Sequence, residues 1–222
     1  MPKQVTNVAV DDALTTIYRL GNDEGEDVIA IRVAERLGLT PPTVSGMLSR
    51  LSRAGLIEVD ARKRIALTPS GVERAEEMVR RHRLAECLLV EVFQLEWWRG
   101  YEEAHLFEHA ISSVTEPLLI ERLGRPARSP FGYPIPGVSP DARLSERRLA
   151  DMATGDSTHI ERVFEEDEEL LQFFDQEGLH PGVTVGMREH APLRDTVTIE
   201  LDGREVILGM QTARRVWVDE SS

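Results

Sequence analysis

From Arg125 to Pro140 the chain carries Pro126, Pro130, Gly132, Pro134, Pro136, Gly137 and Pro140. Proline fixes φ, removes a backbone donor and pushes the preceding residue out of the helical region. No helix or central strand can run through such a stretch. The hydrophobic period also changes across it, from three- and four-residue spacing before to alternation after. The chain must therefore fold as helical material, a linker or wrapped segment, and a separate set of strands.

The helical part begins with Val10, Leu14, Ile17 and Tyr18 on one stripe of a helix over residues 8–20. Gly21–Asp27 is polar and reads as a loop. Val28–Leu37 is a second helix with Ile29, Val33, Ala34 and Leu37 inward, ended by Gly38. Thr40 is placed to cap a third helix, with Pro41 at its first position. Val44, Met47, Leu48 and Leu51 form its buried face, opposite Thr43, Ser45, Gly46, Ser49, Arg50 and Arg53. Two strands follow, residues 56–59 and 65–68, joined by the turn Asp60-Ala61-Arg62-Lys63-Arg64. Short helices, a tight turn and a basic hairpin make a winged helix-turn-helix pattern.

Charge distribution supports that reading. The net charge of −13 argues against bulk attraction to nucleic acid or an anionic membrane. Between Arg32 and Arg64, however, Arg32, Arg36, Arg50, Arg53, Arg62, Lys63 and Arg64 outnumber Glu35, Glu58 and Asp60. A helix exposing Thr40, Pro42, Thr43, Ser45, Arg50 and Arg53 can enter a major groove and reach base edges. Arg32 and the wing residues Arg62, Lys63 and Arg64 would meet phosphate, which positions without specifying. The competing reading is a small bundle with a solvated basic face.

Beyond the wing, Thr68-Pro69-Ser70-Gly71 opens a long helix running to about Phe93. Trp97 and Trp98 lie in a connection and suit either a dimerisation surface or internal packing. Helices at 102–112 and 116–124 follow. After the proline-rich stretch, strands at 159–164, 183–187, 196–201, 206–208 and 215–218, with a short helix from Asp167 to Phe174, read as a small antiparallel barrel. The fold class is mainly α with a C-terminal all-β domain. The divisions fall at 1–73, 74–141 and 150–222. No apolar run is long enough for a membrane helix. The N-terminus lacks a signal pattern, which points to the cytoplasm. The single Cys87 rules out an internal disulfide framework.

Two helical segments carry metal-type donors. His105, Glu108 and His109 fall at i, i+3 and i+4, and His82 and Glu86 at i and i+4, each set on one helix face. A lone histidine or glutamate on a helix is ordinarily packing or a solvated ion pair. A group of them at helical spacing on adjacent helices suits a divalent ion. Cys87 reads as a structural thiol, and His159, His180 and His190 as surface residues.

Taken together, Leu14-Thr15-Thr16-Ile17-Tyr18, Val33-Ala34-Glu35-Arg36-Leu37, Pro42-Thr43-Val44-Ser45, Leu67-Thr68-Pro69-Ser70-Gly71, Arg81-His82-Arg83-Leu84-Ala85-Glu86, Phe107-Glu108-His109 and Ser129-Pro130-Phe131-Gly132-Tyr133-Pro134-Ile135-Pro136-Gly137 resemble the diphtheria toxin repressor and manganese transport regulator family. The resemblance covers almost the whole chain. It implies a homodimer with a winged-helix domain, a helical metal and dimerisation domain, and an SH3-like barrel. It also implies a first metal set of Asp12, His105, Glu108 and His109, and a second of His82 and Glu86 with Glu166 and Glu169 from the barrel. Asp12 stands where iron-responsive members carry a thioether and manganese-responsive members an aspartate. Tyr101 replaces a histidine of the second set, Thr15 the glutamate of a paired-metal arrangement, and Gly46 a glutamine near the bases. Glu166 and Glu169 equally suit a solvated acidic helix start, and Asp12 a helix cap.

The donors offer oxygen and imidazole without sulfur, which favours Mn²⁺, with Fe²⁺ the alternative. The expected function is a Mn²⁺-activated repressor with two metal sites per subunit, binding operator DNA of metal-uptake genes as a homodimer. No small organic substrate and no membrane partner is expected. A metalloenzyme is the reading from another class. It lacks a His-Glu-x-x-His motif and a Glu-x-x-His pair on two helices.

Overall fold

The computed structural model describes residues 8–138 and 144–220. The chain forms two compact units, Met1–Arg80 and Arg81–Ser222. Pro140 lies outside the described residues.

In the first unit, α1 (Val8–Tyr18), α2 (Ala30–Leu37) and α3 (Pro41–Arg53) precede the antiparallel hairpin β1 (Ile57–Val59) and β2 (Ile65–Leu67). Leu14, Ile17, Val33, Val44, Met47, Leu51, Ile57 and Ile65 share one core. The expected loop after α1 starts late. Arg19–Asp23 continue the helix as a π turn, with Leu20 drawn into the core and Glu24 N–H bonded to Arg19 O at 3.0 Å. Gly38 ends α2 in the left-handed conformation, at φ 62°. Thr40 has the extended backbone of an N-cap, but its hydroxyl bonds the Thr43 hydroxyl at 2.9 Å instead of an amide. Pro42 has removed the N2 amide, one of the two it could have served.

Helix α4 (Pro69–Cys87) opens where Thr68 Oγ1 accepts from Gly71 N–H at 3.2 Å and donates to Gly55 O at 2.6 Å. Leu88–Val92 extend it as a second π turn. The second unit adds α5 (Gly100–Phe107), α6 (Thr115–Arg122), and a five-stranded antiparallel sheet in the order β6-β5-β4-β3-β7. Its strands are β3 (Ser157–Val163), β4 (Thr184–Ala191), β5 (Thr196–Leu201), β6 (Arg204–Gly209) and β7 (Val216–Val218), with α7 (Glu168–Glu177) after β3 and α8 (Met210–Ala213) before β7. Alternation along β5 buries Val197, Ile199 and Leu201 in one core with Phe174, Val185 and Val216.

The proline-rich stretch is a wrapped segment. Phe131, Tyr133 and Ile135 are buried, and Val163 N–H bonds Phe131 O at 3.1 Å. Gly132 sits at φ 95°, and a Cβ there would lie 2.1 Å from Glu161 O. Trp97 packs within the chain: its ring lies tilted against Phe131 and its N–H bonds Pro130 O at 3.0 Å, while both Trp97 and Trp98 stay half-buried.

Candidate metal centre and DNA-binding surface

Glu108 is the hub of the metal-type residues. It lies where α5 tightens into the 3₁₀ turn Glu108–Ala110, which cuts short the helix expected to continue to Ser112. The carboxylate is buried. Its Oε2 sits 2.6 Å from His82 Nδ1, and its Oε1 sits 3.5 Å from both His105 Nδ1 and His109 Nε2. Donor atoms of His82, His105 and Glu108 all lie within 4.8 Å of one another. The resemblance divides His82 and Glu108 between two sets, and the fold brings those sets into contact.

Glu86, one turn past His82 on α4, is fully buried. Neither of its oxygens has a hydrogen bond, although Oε1 is 3.0 Å from His82 Nε2. With His82 Nδ1 donating to Glu108, Nε2 and Glu86 Oε1 are two acceptors at close range. A cation between them would relieve both. Buried carboxylates, close imidazoles and an unsatisfied anion fit a divalent cation held by nitrogen and oxygen.

The other candidates are placed differently. Tyr101, which stands in place of a histidine of the second set, packs its ring against His82, 4.8 Å between centroids. Glu169 is exposed in the first turn of α7, and Glu166 is half-buried ahead of it. Asp167 caps that helix by accepting from Leu170 N–H at 3.0 Å. Neither glutamate joins the His82 group. Asp12 is half-buried on α1 in the first unit. Of the remaining histidines, His159 is exposed, His180 stacks on Trp97, and His190 Nε2 lies 2.7 Å from Met152 O. Cys87 is buried against Arg128 O.

In the first unit, Thr40, Pro42, Thr43, Ser45, Arg50 and Arg53 are all exposed at or along α3. Arg53 Nε donates back to Ser49 O at 3.3 Å. The wing is ordered by Asp60, whose Oδ1 accepts from Arg62 N–H and Arg64 N–H at 2.8 and 2.9 Å. Arg64 also commits its guanidinium to Asp60 Oδ2 at 2.9 Å, so Arg62 and Lys63 are left at the exposed tip. Arg32 pairs with Glu26.

Three family models tile this chain. They are the iron dependent repressor N-terminal DNA binding domain over residues 7–65, the iron dependent repressor metal binding and dimerisation domain over 68–137, and the FeoA domain over 147–220. The iron-dependent repressor IdeR of Mycobacterium leprae is 35% identical, over 93% of this chain and 95% of its own. The chain belongs to the diphtheria toxin repressor family. It is a metal-dependent transcriptional repressor, not an enzyme. The diphtheria toxin repressor of Corynebacterium diphtheriae is 33% identical to this repressor over the same shares. Among solved structures, a manganese-dependent transcriptional repressor in complex with manganese matches with a TM-score of 0.86 and 29% identity, covering 94% of this chain and 98% of that one. The crystal structure of T. acidophilum IdeR matches with a TM-score of 0.78 and 27% identity, covering 98% of this chain and 99% of that one. No helix among the described residues is long and apolar enough to cross a membrane.

Proposed function

We propose that this repressor responds to Mn²⁺ and, when loaded, binds operators of metal-uptake genes as a homodimer in the cytoplasm. The observation that carries the metal assignment is the donor set around Glu108, which offers carboxylate and imidazole and no sulfur. Hard oxygen with imidazole suits Mn²⁺, and thiolate or thioether would favour softer ions. His105, Glu108 and His109 with Asp12 would hold one ion, and His82 with Glu86 a second. A bound divalent ion supplies positive charge that neutralises these carboxylates and favours unprotonated imidazoles.

The protein's residues do the rest. Without compensation, Glu86 and Glu108 face the cost of buried negative charge. Asp12 belongs to the DNA-binding helices and the other donors to the dimerisation part, so an ion held by both, as the family resemblance implies, would tie the two together. That would set the spacing of the two recognition helices in the dimer. Helix α3 would read bases through Thr40, Pro42, Thr43, Ser45, Arg50 and Arg53. Arg32, Arg62, Lys63 and Arg64 would hold phosphate.

Fe²⁺ is the second reading, favoured by the identity to relatives named iron-dependent. Anaerobic fluorescence anisotropy separates the two. The probe is a duplex selected from random sequence at saturating Mn²⁺, titrated with Mn²⁺ and with Fe²⁺ against a chelated control. Activation at lower free Mn²⁺ than Fe²⁺ is expected. The reverse order assigns iron, and equal binding with chelator overturns metal activation.

A further inference from the structure

Beside Asp12 stands a carboxylate that the proposed metal chemistry does not use. Asp11 is buried at 2% exposure on α1. Its Oδ1 accepts from Arg74 Nε of α4 at 2.7 Å, and its Oδ2 is buried without a hydrogen bond. The two residues are separated by 63 positions, and both lie in the first unit. A buried carboxylate left half-satisfied and paired with an Arg74 side chain that is 38% exposed is a poor way to stabilise a fold, since apolar packing of the carboxylate's site does as well or better. What such a pair does provide is direction. It fixes which face of α1 is turned toward α4.

A second feature braces the same point. Thr15 Oγ1 bonds back to Asp11 O at 2.6 Å and to Asp12 O at 3.2 Å. The hydroxyl thus holds the turn carrying both aspartates. Successive helix residues are rotated by about 100°. Pinning Asp11 to Arg74 therefore also sets the direction in which Asp12 points.

We infer that Asp11 and Arg74 are positioning residues for Asp12, so that the Asp11–Arg74 pair sets the metal concentration at which the repressor is activated. This rests on Asp12 being a ligand, as proposed above. Arg74 would tie the helix that carries Asp12 to the start of the helix that carries His82 and Glu86 farther along.

The test uses the full-length dimer and three kinds of variant. Mn²⁺ binding is read from the electron paramagnetic resonance signal of free Mn²⁺. Activation is read by anisotropy on the selected duplex, and stability from metal-free thermal melting. Arg74→Met should raise the Mn²⁺ needed for half-activation by about tenfold, within the range typical of coupling between sites, and Arg74→Lys should recover part of it. The double variant D11L/R74L replaces the pair by apolar packing. It should melt at or above the parent temperature and still need about tenfold more Mn²⁺. Recovery of the parent midpoint by D11L/R74L, in step with its stability, would reduce the pair to a structural contact and overturn the inference. Asp12→Ala is the control for the underlying reading. If it leaves Mn²⁺ binding and activation unchanged, Asp12 is not a ligand and both proposals fall. If it abolishes the response while D11L/R74L matches the parent, the inference alone fails.

Discussion

His82 Nδ1 lies 2.6 Å from Glu108 Oε2, which closes α4 onto the 3₁₀ turn that follows α5. Both groups are buried. The contact makes one carboxylate answer to His82 through one oxygen and to His105 and His109 through the other. Its geometry depends on α5 stopping at Phe107, because the tighter turn redirects Glu108 and His109 relative to a continuous helix.

Glu108→Gln tests that hub. The amide keeps the shape of the side chain and can still meet His82, so the metal-free melting temperature should change little. The charge on which all three imidazoles converge is gone. Mn²⁺ affinity should fall by more than about tenfold, or about 1.4 kcal/mol. Unchanged affinity by isothermal calorimetry would remove Glu108 from the ligand set.

Glu86→Met should have effects of opposite sign. The carboxylate is fully buried with neither oxygen hydrogen-bonded, and an uncompensated buried polar group costs about 1–3 kcal/mol. Methionine of similar length removes that cost. The metal-free protein should melt a few degrees higher, at roughly 2–4 °C per kcal/mol for a chain of this size. The rise on adding Mn²⁺ should shrink. A lower metal-free melting temperature would mean that Glu86 is satisfied without an ion.

Local pattern explains what was legible in the sequence. The helix faces of α1, α2 and α3, the basic hairpin and the alternating strands follow from spacing, so Val44, Met47, Leu48 and Leu51 are found buried as the period requires. The i, i+3 and i+4 donors were visible for the same reason. Contacts between distant residues were not. Nothing local signals that His82 meets Glu108 or that Asp11 meets Arg74. The π turns at Arg19–Asp23 and Leu88–Val92 also escape periodicity, because each ends its helix and no further turn follows to show a shifted phase. The contact of Trp97 with Phe131, some thirty residues on, is of the same distant kind.

Cys87 should be inert in the native state. Burial raises its thiol pKa, and the charges of Glu91 and Glu86 push in the same direction. Thiolate is the reactive species. A colorimetric disulfide reagent at pH 8 should label no thiol in the folded protein and one per chain in guanidinium. Fast labelling without denaturant would show that the π turn at Leu88–Val92 opens readily.

The Asp60 wing turn should weaken in acid. Its carboxyl pKa is lowered, chiefly by the backbone N–H of Arg64, with the Arg64 side chain and the Arg62 N–H adding to it against some desolvation. A depressed folded-state pKa gives a contribution that is complete above the unfolded-state value and is lost as pH falls through the folded-state value. Hydrogen exchange at Arg62 and Arg64 should therefore be protected at neutral pH and accelerate, beyond its intrinsic pH dependence, in the acid range. Asp60→Ala should remove the protection at every pH. Equal protection in parent and variant would mean that the strand pairing alone holds the wing.

At the wing tip, Lys63 has φ 64°, in the left-handed region that favours glycine. A side chain there costs about 1 kcal/mol that glycine does not incur, and the turn spends it to present a cation beside Arg62. Lys63→Gly should therefore separate stability from binding. The hairpin should gain up to about 1 kcal/mol, less the extra freedom glycine has in the unfolded chain. DNA affinity should weaken by a similar factor across sequences, because a phosphate contact carries no base preference, and the slope of log affinity against log salt should fall by about 1. Anisotropy at several salt concentrations, on the selected duplex and on an unrelated one, checks both. A loss confined to the selected duplex, with the salt slope unchanged, would make Lys63 a reader of bases and move the wing out of the phosphate-holding role.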